Sequence, residues 1–129
     1  MADKIVLVDT SILIDHFRKT NKSQSILISL VKQDYIYCIS VITDYEIYTG
    51  TTPEQLNFWN SFLQKTEVLP FDKKVANVAV DINKQLKKKR KQIAIPDLFI
   101  AATAVANGLP LATLNKKHFQ RIDELTLVA

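Results

Sequence analysis

Four oxygen-bearing side chains stand where an α/β chain concentrates its chemistry. Asp9 directly follows the apolar run Lys4–Val8 (KIVLV), and Glu46 lies in the segment after the apolar run Tyr35–Ser40 (YIYCIS). Asp97 follows Pro96 at the head of an alanine-rich stretch, and Asn115 follows a short apolar run ending at Thr113. In parallel α/β sheets the functional crevice lies beyond the carboxyl ends of the strands, so these four positions are expected to converge. Converging carboxylates repel one another and raise each other's pKa unless a cation stands between them. Their hard oxygens suit Mg²⁺ or Mn²⁺. A divalent ion held there orients and deprotonates water and stabilises charge on a phosphate, which is the chemistry of metal-assisted phosphodiester hydrolysis.

Each of these residues also has a plainer reading. An Asp after a strand is usually a helix cap, which applies to Asp9 and, after Pro96, to Asp97. Glu46 in a helix would ordinarily face water, but Tyr45, Ile47 and Tyr48 beside it predict a largely buried helix. Asp44 cannot share a helix face with Glu46, so only one of the two can point into a site. Asp15 stands four residues before Lys19 and reads as a surface ion pair. His16 and His118 are isolated, without metal-ligand spacing, and read as packing or surface residues. The Tyr and Trp residues fall at core spacing rather than as base-stacking platforms.

The elements that must position the site alternate. Strands are expected at Lys4–Val8, Tyr35–Ser40, Glu67–Phe71, Pro110–Thr113 and Leu125–Val128. The first two are continuous apolar runs of the kind buried on both faces. Helices are expected from a cap at Thr10 or Ser11, over Ser23–Lys32, from Thr43 to Gly50, and from Pro53 through Leu63. Two more are expected from an Asp72 cap into the lysine run, and over Leu98–Asn107 closed by Gly108. Pro70 suits an edge strand. This alternation predicts an α/β fold with a parallel sheet and helices on both faces.

Composition sets the outer bounds. With 129 residues, 47% hydrophobic and 23% charged, the chain fits one domain with a core of its own and is unlike a disordered segment. Two glycines and four prolines argue against a turn-rich all-β protein. The net charge of +4 is concentrated in Lys84, Lys87, Lys88, Lys89, Arg90 and Lys91; without them the remainder is net acidic. This is a near-neutral body with one basic patch rather than a uniformly basic coat. Residues Lys87–Lys91 read first as a solvated helix end that suits the C-terminal dipole, and second as a contact for RNA phosphates. The single cysteine, Cys38, fits a reducing compartment and reads as a small buried hydrophobe. No secretory signal or membrane span is visible, so a cytoplasmic protein without a membrane partner is expected.

Taken together, the segments VDTSILID, SVITDYEIYTG, IPDLFIAATA and LATLNKKHF resemble, in order and spacing, the PIN domain family, and specifically its VapC-type toxins of toxin–antitoxin pairs. The resemblance runs from Val8 to Phe119 and implies a single PIN domain over residues 1–129, built as a three-layer α/β/α sandwich around a central parallel sheet. It implies an endoribonuclease dependent on Mg²⁺ or Mn²⁺, with the family's acidic set on Asp9, Glu46 and Asp97 as metal ligands. The family's small hydroxyl beside the first acid falls on Thr10 or Ser11, and the hydroxyl after the late strand on Thr113. Its fourth, often acidic, position falls on Asn115, which offers a carbonyl oxygen but no charge. A cognate antitoxin laying a C-terminal segment across the acidic groove, and a homodimer, are further implications of the family.

Rival readings fit less well. A dinucleotide-binding fold needs a glycine-rich first turn, and Thr10-Ser11-Ile12 has none. An aspartyl phosphotransferase of the haloacid-dehalogenase type would place an acid where Ser11 stands. A PIN-like module that binds RNA or protein without catalysis has no need for three retained acids.

Overall fold

The computed structural model describes residues 4–128; Met1–Asp3 and Ala129 lie outside the described residues. Five strands form one all-parallel sheet in the order β3-β2-β1-β4-β5: β1 (Lys4–Val8), β2 (Tyr35–Ser40), β3 (Val68–Leu69), β4 (Leu111–Ala112) and β5 (Leu127–Val128). In register, Leu7 of β1 lies between Cys38 of β2 and Leu111 of β4. The chain builds outward from β1 to β3 on one side, then returns to build β4 and β5 on the other. The gap beyond the ends of β1 and β4 is therefore the point where strand order reverses, the usual place for a functional crevice.

The central strand explains both helical layers. Val6, Leu7 and Val8 are fully buried in succession, which requires cover on both faces of the sheet. Side chains alternate across a strand. Leu7 therefore packs with α5 (Lys73–Lys89) and α6 (Ile95–Ala106), whereas Val6 and Val8 pack with α1 (Thr10–Arg18), α2 (Ile26–Lys32) and α4 (Leu56–Gln64). Cys38 and Leu111 join the first layer, Ile39 and Ala112 the second. The alanines of α6 let that helix sit close: Ala101, Ala102 and Ala104 are fully buried. The second layer is aromatic, with Phe17 stacked on Trp59 at 5.2 Å between ring centroids. Burial, with the Glu67 charge adding to it, pushes the Cys38 thiol up to about 11, so it stays protonated and inert at neutral pH.

Several local expectations shift. Asp9, not Thr10 or Ser11, caps α1, and Ser40, not Thr43, caps α3 (Val41–Gly50). In both cases the last polar residue before the first turn reaches the free N–H groups first. The segment Ser23–Lys32 divides into a 3-10 turn at Lys22–Gln24 and α2, because the Ser25 hydroxyl starts a new cap on Ile28 N–H. Pro53 lies in a turn ahead of α4, which begins at Leu56, and α6 begins at Ile95, so Asp97 sits in its first turn rather than capping it. The expected burial of α3 is also corrected. Only Thr43 and Ile47 are buried and Ile42 packs partly against the core, while Tyr45 is 67% exposed and Tyr48, at 37%, donates its hydroxyl to Asn60. A short α7 (Lys116–Phe119) follows Asn115. Among the described residues no helix is long and apolar enough to cross a membrane.

Candidate active site

Asp9 is held from two directions. As the cap of α1, its Oδ1 accepts from the backbone N–H groups of Ser11 (3.0 Å) and Ile12 (3.4 Å), and from the Ser11 hydroxyl (2.5 Å). Its Oδ2 accepts from the Thr113 hydroxyl at 2.6 Å, a bond spanning 104 residues that ties the end of β4 to the end of β1. Each hydroxyl is itself positioned, since Ser11 Oγ accepts from Leu114 N–H and Thr113 Oγ1 from Asn115 N–H. One side chain thus both caps α1 and lines the cleft, so the cap reading of Asp9 does not exclude a role in the site.

The other acids arrive from different elements. On the adjoining helix face, the Thr10 hydroxyl donates to Glu46 Oε1 at 2.6 Å and lies 3.2 Å from the Thr43 hydroxyl. Asp97, in the first turn of α6, is partly buried, with His118 Nδ1 3.6 Å from its Oδ2. Asp9, Thr10, Ser11, Glu46, Asp97 and Asn115 all line one open cleft of about 650 Å³. Thr113 is buried behind Asp9, and Asp44 lies outside the lining, so Glu46 is the acid of that pair that faces the cleft.

Electrostatics marks Asp9 apart. Burial raises its pKa above the ordinary value, the hydrogen bonds from Ser11, Thr113 and Ile12 pull it back down, and the Asp97 charge pushes it up further. Three carboxylates, joined by hydroxyls and an amide oxygen, form a hard-oxygen set that fits Mg²⁺ or Mn²⁺. Among the described residues no three His, Cys, Asp or Glu side chains stand close enough to hold an ion unaided. A cation here would therefore complete its shell with water or phosphate oxygens, as Mg²⁺ characteristically does.

Sequence reasoning missed part of this lining. Ile14, Asp15 and Arg18 of α1 also line the cleft. Helical spacing from Ser11 (three, four and seven residues on) was the available signal. Asp15 is less exposed than a surface pair implies: it meets Lys19 at 3.6 Å, but it also accepts from Ile26 N–H at 3.0 Å and so docks α2. His16 is a packing residue, buried and 2.7 Å from the Ser25 hydroxyl. His118 is a surface residue, with its side chain about half exposed, but its ring stands 3.6 Å from Asp97. The Lys87–Lys91 run stays out of the acidic lining, and Lys89 is paired with Asp123 at 2.7 Å.

Comparison with known proteins places this arrangement. The PIN domain family model matches residues 6–125. The chain is 37% identical over 123 residues to Ribonuclease VapC1 of Methanocaldococcus jannaschii, covering 95% of this chain and 84% of that protein. It is 33% identical over 122 residues to Ribonuclease VapC10 of Mycobacterium tuberculosis, covering 94% and 90%. Among solved structures it is similar to DNA-bound VapBC from Salmonella typhimurium, with a TM-score of 0.83 at 27% identity over 95% of this chain and 96% of that one. It is also similar to VapBC2 from Rickettsia felis bound to a promoter DNA fragment, with a TM-score of 0.81 at 27% identity over 96% and 97%.

Proposed function

The chain belongs to the PIN domain family and, within it, to the VapC ribonuclease toxins of toxin–antitoxin systems, and from that premise we propose that it is a metal-dependent endoribonuclease whose Mg²⁺ or Mn²⁺ is held by Asp9, Glu46 and Asp97. The observation that carries this reading is the meeting of three carboxylates from three distant elements in one cleft, two of them clamped by hydroxyls.

When bound, the ion polarises a phosphate oxygen and makes water acidic enough to attack at neutral pH. The chain's own residues prepare the site for it. Thr113 and Ser11 hold both oxygens of Asp9, fixing the carboxylate plane before substrate arrives. Thr10 holds Glu46 through its Oε1 on the cleft lining, and no hydrogen bond to Oε2 is found among the described residues. Asp97 brings the third charge, and Asn115 an uncharged oxygen. Arg18, exposed on the same lining, is placed to offset charge on an incoming RNA backbone. Preorganised oxygen ligands of this kind act by positioning rather than by forming covalent intermediates.

The partners in this reading are RNA as substrate, a cognate antitoxin, and a second copy in a homodimer, with the whole acting in the cytoplasm as a single PIN domain. Its support for an antitoxin is that the similar solved structures are toxin–antitoxin complexes. The test is cleavage of a labelled RNA by the purified chain with Mg²⁺, with Mn²⁺ and with EDTA. Internal cuts that need the metal are expected, with loss of cleavage in Asp9→Asn. Equal cleavage in EDTA would remove the metal from the reading, and equal cleavage by Asp9→Asn would remove the site.

A further inference from the structure

Beyond the acidic cleft, the fold builds a second one of opposite charge. The segment that follows α5, together with α7 and the residues just after it, encloses a cleft lined by Arg90, Lys91, Gln92, Lys117, Gln120 and Arg121. No carboxylate is among its lining residues, and its four cations appear in no ion pair among the described residues. Arg121 is fixed in place by donating to the Gln92 carbonyl at 3.1 Å. Like charges gathered without a partner repel, so the cleft calls for an anion. The two clefts share a wall: Asn115, at the head of α7, lines the acidic one, and Lys117, two residues on, lines the basic one.

Arg90 supplies a second, independent observation. It ends α5 in the left-handed region, at φ 55 and ψ 40, while its N–H reaches back to Leu86 and Lys87. Glycine is the ordinary residue for this helix-ending geometry, because a Cβ there is strained. An arginine in its place gives up stability and gains a charge at the cleft.

We propose that this basic cleft is a subsite for the phosphodiester backbone of the RNA flanking the cut, held through Arg90, Lys91, Lys117 and Arg121. The inference rests on the ribonuclease reading above. It also narrows the expectation for the lysine run: Lys89 is already paired with Asp123, and Lys87 and Lys88 lie outside the cleft lining, so the RNA contacts fall on Arg90 and Lys91. A backbone contact, rather than base readout, follows from a lining rich in cations and poor in aromatic rings.

The experiment measures binding of a labelled single-stranded RNA across a salt series, in the non-cleaving Asp9→Asn background. Arg90→Gly, Lys91→Gln and Lys117→Gln are combined and compared with Lys73→Gln, Lys74→Gln and Lys84→Gln, which remove the same charge elsewhere on α5. Each lost phosphate contact should flatten the log–log salt slope by about 0.7, so the cleft triple should lose about 2 and the control far less. Arg90→Gly alone should bind RNA more weakly while melting at a higher temperature, a pairing that a purely structural arginine would not give. Equal slopes in the cleft and control triples would overturn the subsite, and the ribonuclease reading would stand as long as the otherwise wild-type chain still cuts RNA. Unchanged RNA binding by the cleft triple, with loss of binding to an acidic peptide, would overturn it in favour of a protein partner. Absence of RNA cleavage by the wild type together with absence of RNA binding by Asp9→Asn would overturn both.

Discussion

The two walls of the acidic cleft are built differently. On the β1 wall, Asp9 is 3% exposed and both its oxygens are engaged by donors from two elements. On the α6–α7 wall, Asp97 has only the 3.6 Å approach of His118, and the side chain of Asn115 makes no hydrogen bond among the described residues. Glu46 stands between them with one short bond from Thr10. One wall is fixed before any ligand arrives and the other is free to adjust. A site for a small, geometrically demanding cation and a bulky polymer needs both: a rigid anchor for the ion and slack to admit the backbone.

The largest expected effect separates function from stability on the fixed wall. Asp9→Asn should abolish measurable cleavage, because it removes a charge from the anchor. It should also melt at a higher temperature than wild type, since the amide keeps the cap on α1 while ending the burial of a charge. Asp97→Asn should abolish cleavage too, but leave the melting temperature nearly unchanged, because that side chain is less buried and lightly bonded. Paired activity and melting measurements decide it; equal melting shifts for the two variants would dissolve the contrast between the walls.

The same contrast has a pH signature. The native pKa of Asp9 lies above its ordinary value near 3.8, so the folded state keeps this proton after the unfolded state has lost it. The stabilising contribution is then fully present below 3.8 and is lost as pH rises through the native value. Relative to Asp9→Asn, wild type should therefore lose stability on going from acid toward neutral pH. Melting curves of both proteins across that range test the sign, and a difference that stays flat would mean that the hydrogen bonds cancel the cost of burial.

How much of this was legible in the sequence depends on distance along the chain. The strand that ends at Asp9 and the strand that leads into the helix of Glu46 were plain from KIVLV and YIYCIS, because a buried parallel strand writes itself as an unbroken apolar run. The Asp72 cap and the end of α3 at Gly50 were equally local. The clamp from Thr113 to Asp9 was not legible as a contact, since nothing in either segment encodes a partner 104 residues away; only the family resemblance singled Thr113 out. Tyr45 misled because aromatic residues suggest burial, whereas its helix offers the core Thr43 and Ile47, with Ile42 partly packed, and turns Tyr45 to water. The basic cleft was half visible: the lysine run stood out, but its union with Lys117 and Arg121 is a product of topology.

A smaller effect is expected from loosening the fixed wall without removing its charge. Thr113→Val deletes the donor to Asp9 Oδ2 and the acceptor for Asn115 N–H. Groups that orient a metal ligand typically contribute about 10–100-fold in affinity or activity, so a loss of that size is expected, with a higher metal requirement. Thr113→Ser restores the hydroxyl and should recover most of the rate. A valine variant with wild-type metal dependence would show that the cap bonds alone hold Asp9.

The smallest effect belongs to the adjustable wall, at Asn115. Its backbone is held, because its N–H donates to Thr113 Oγ1 at 2.9 Å, but its side chain is exposed and brings an oxygen without charge. A neutral amide oxygen contributes less to a hard cation than a carboxylate does. Asn115→Ala should therefore keep the backbone bond and cost less activity than Asp9→Ala or Asp97→Ala. Asn115→Asp should lower the metal concentration needed for half-maximal cleavage, because it adds a carboxylate to Asp9, Glu46 and Asp97 on the lining. The added charge should also weaken RNA binding at low salt, so tighter metal binding and poorer RNA affinity should appear together. A metal titration and an RNA titration of the two Asn115 variants measure the opposing terms separately. If Asn115→Ala is as inactive as Asp9→Ala while folded by circular dichroism, the amide is a full catalytic ligand and the second wall is no less committed than the first.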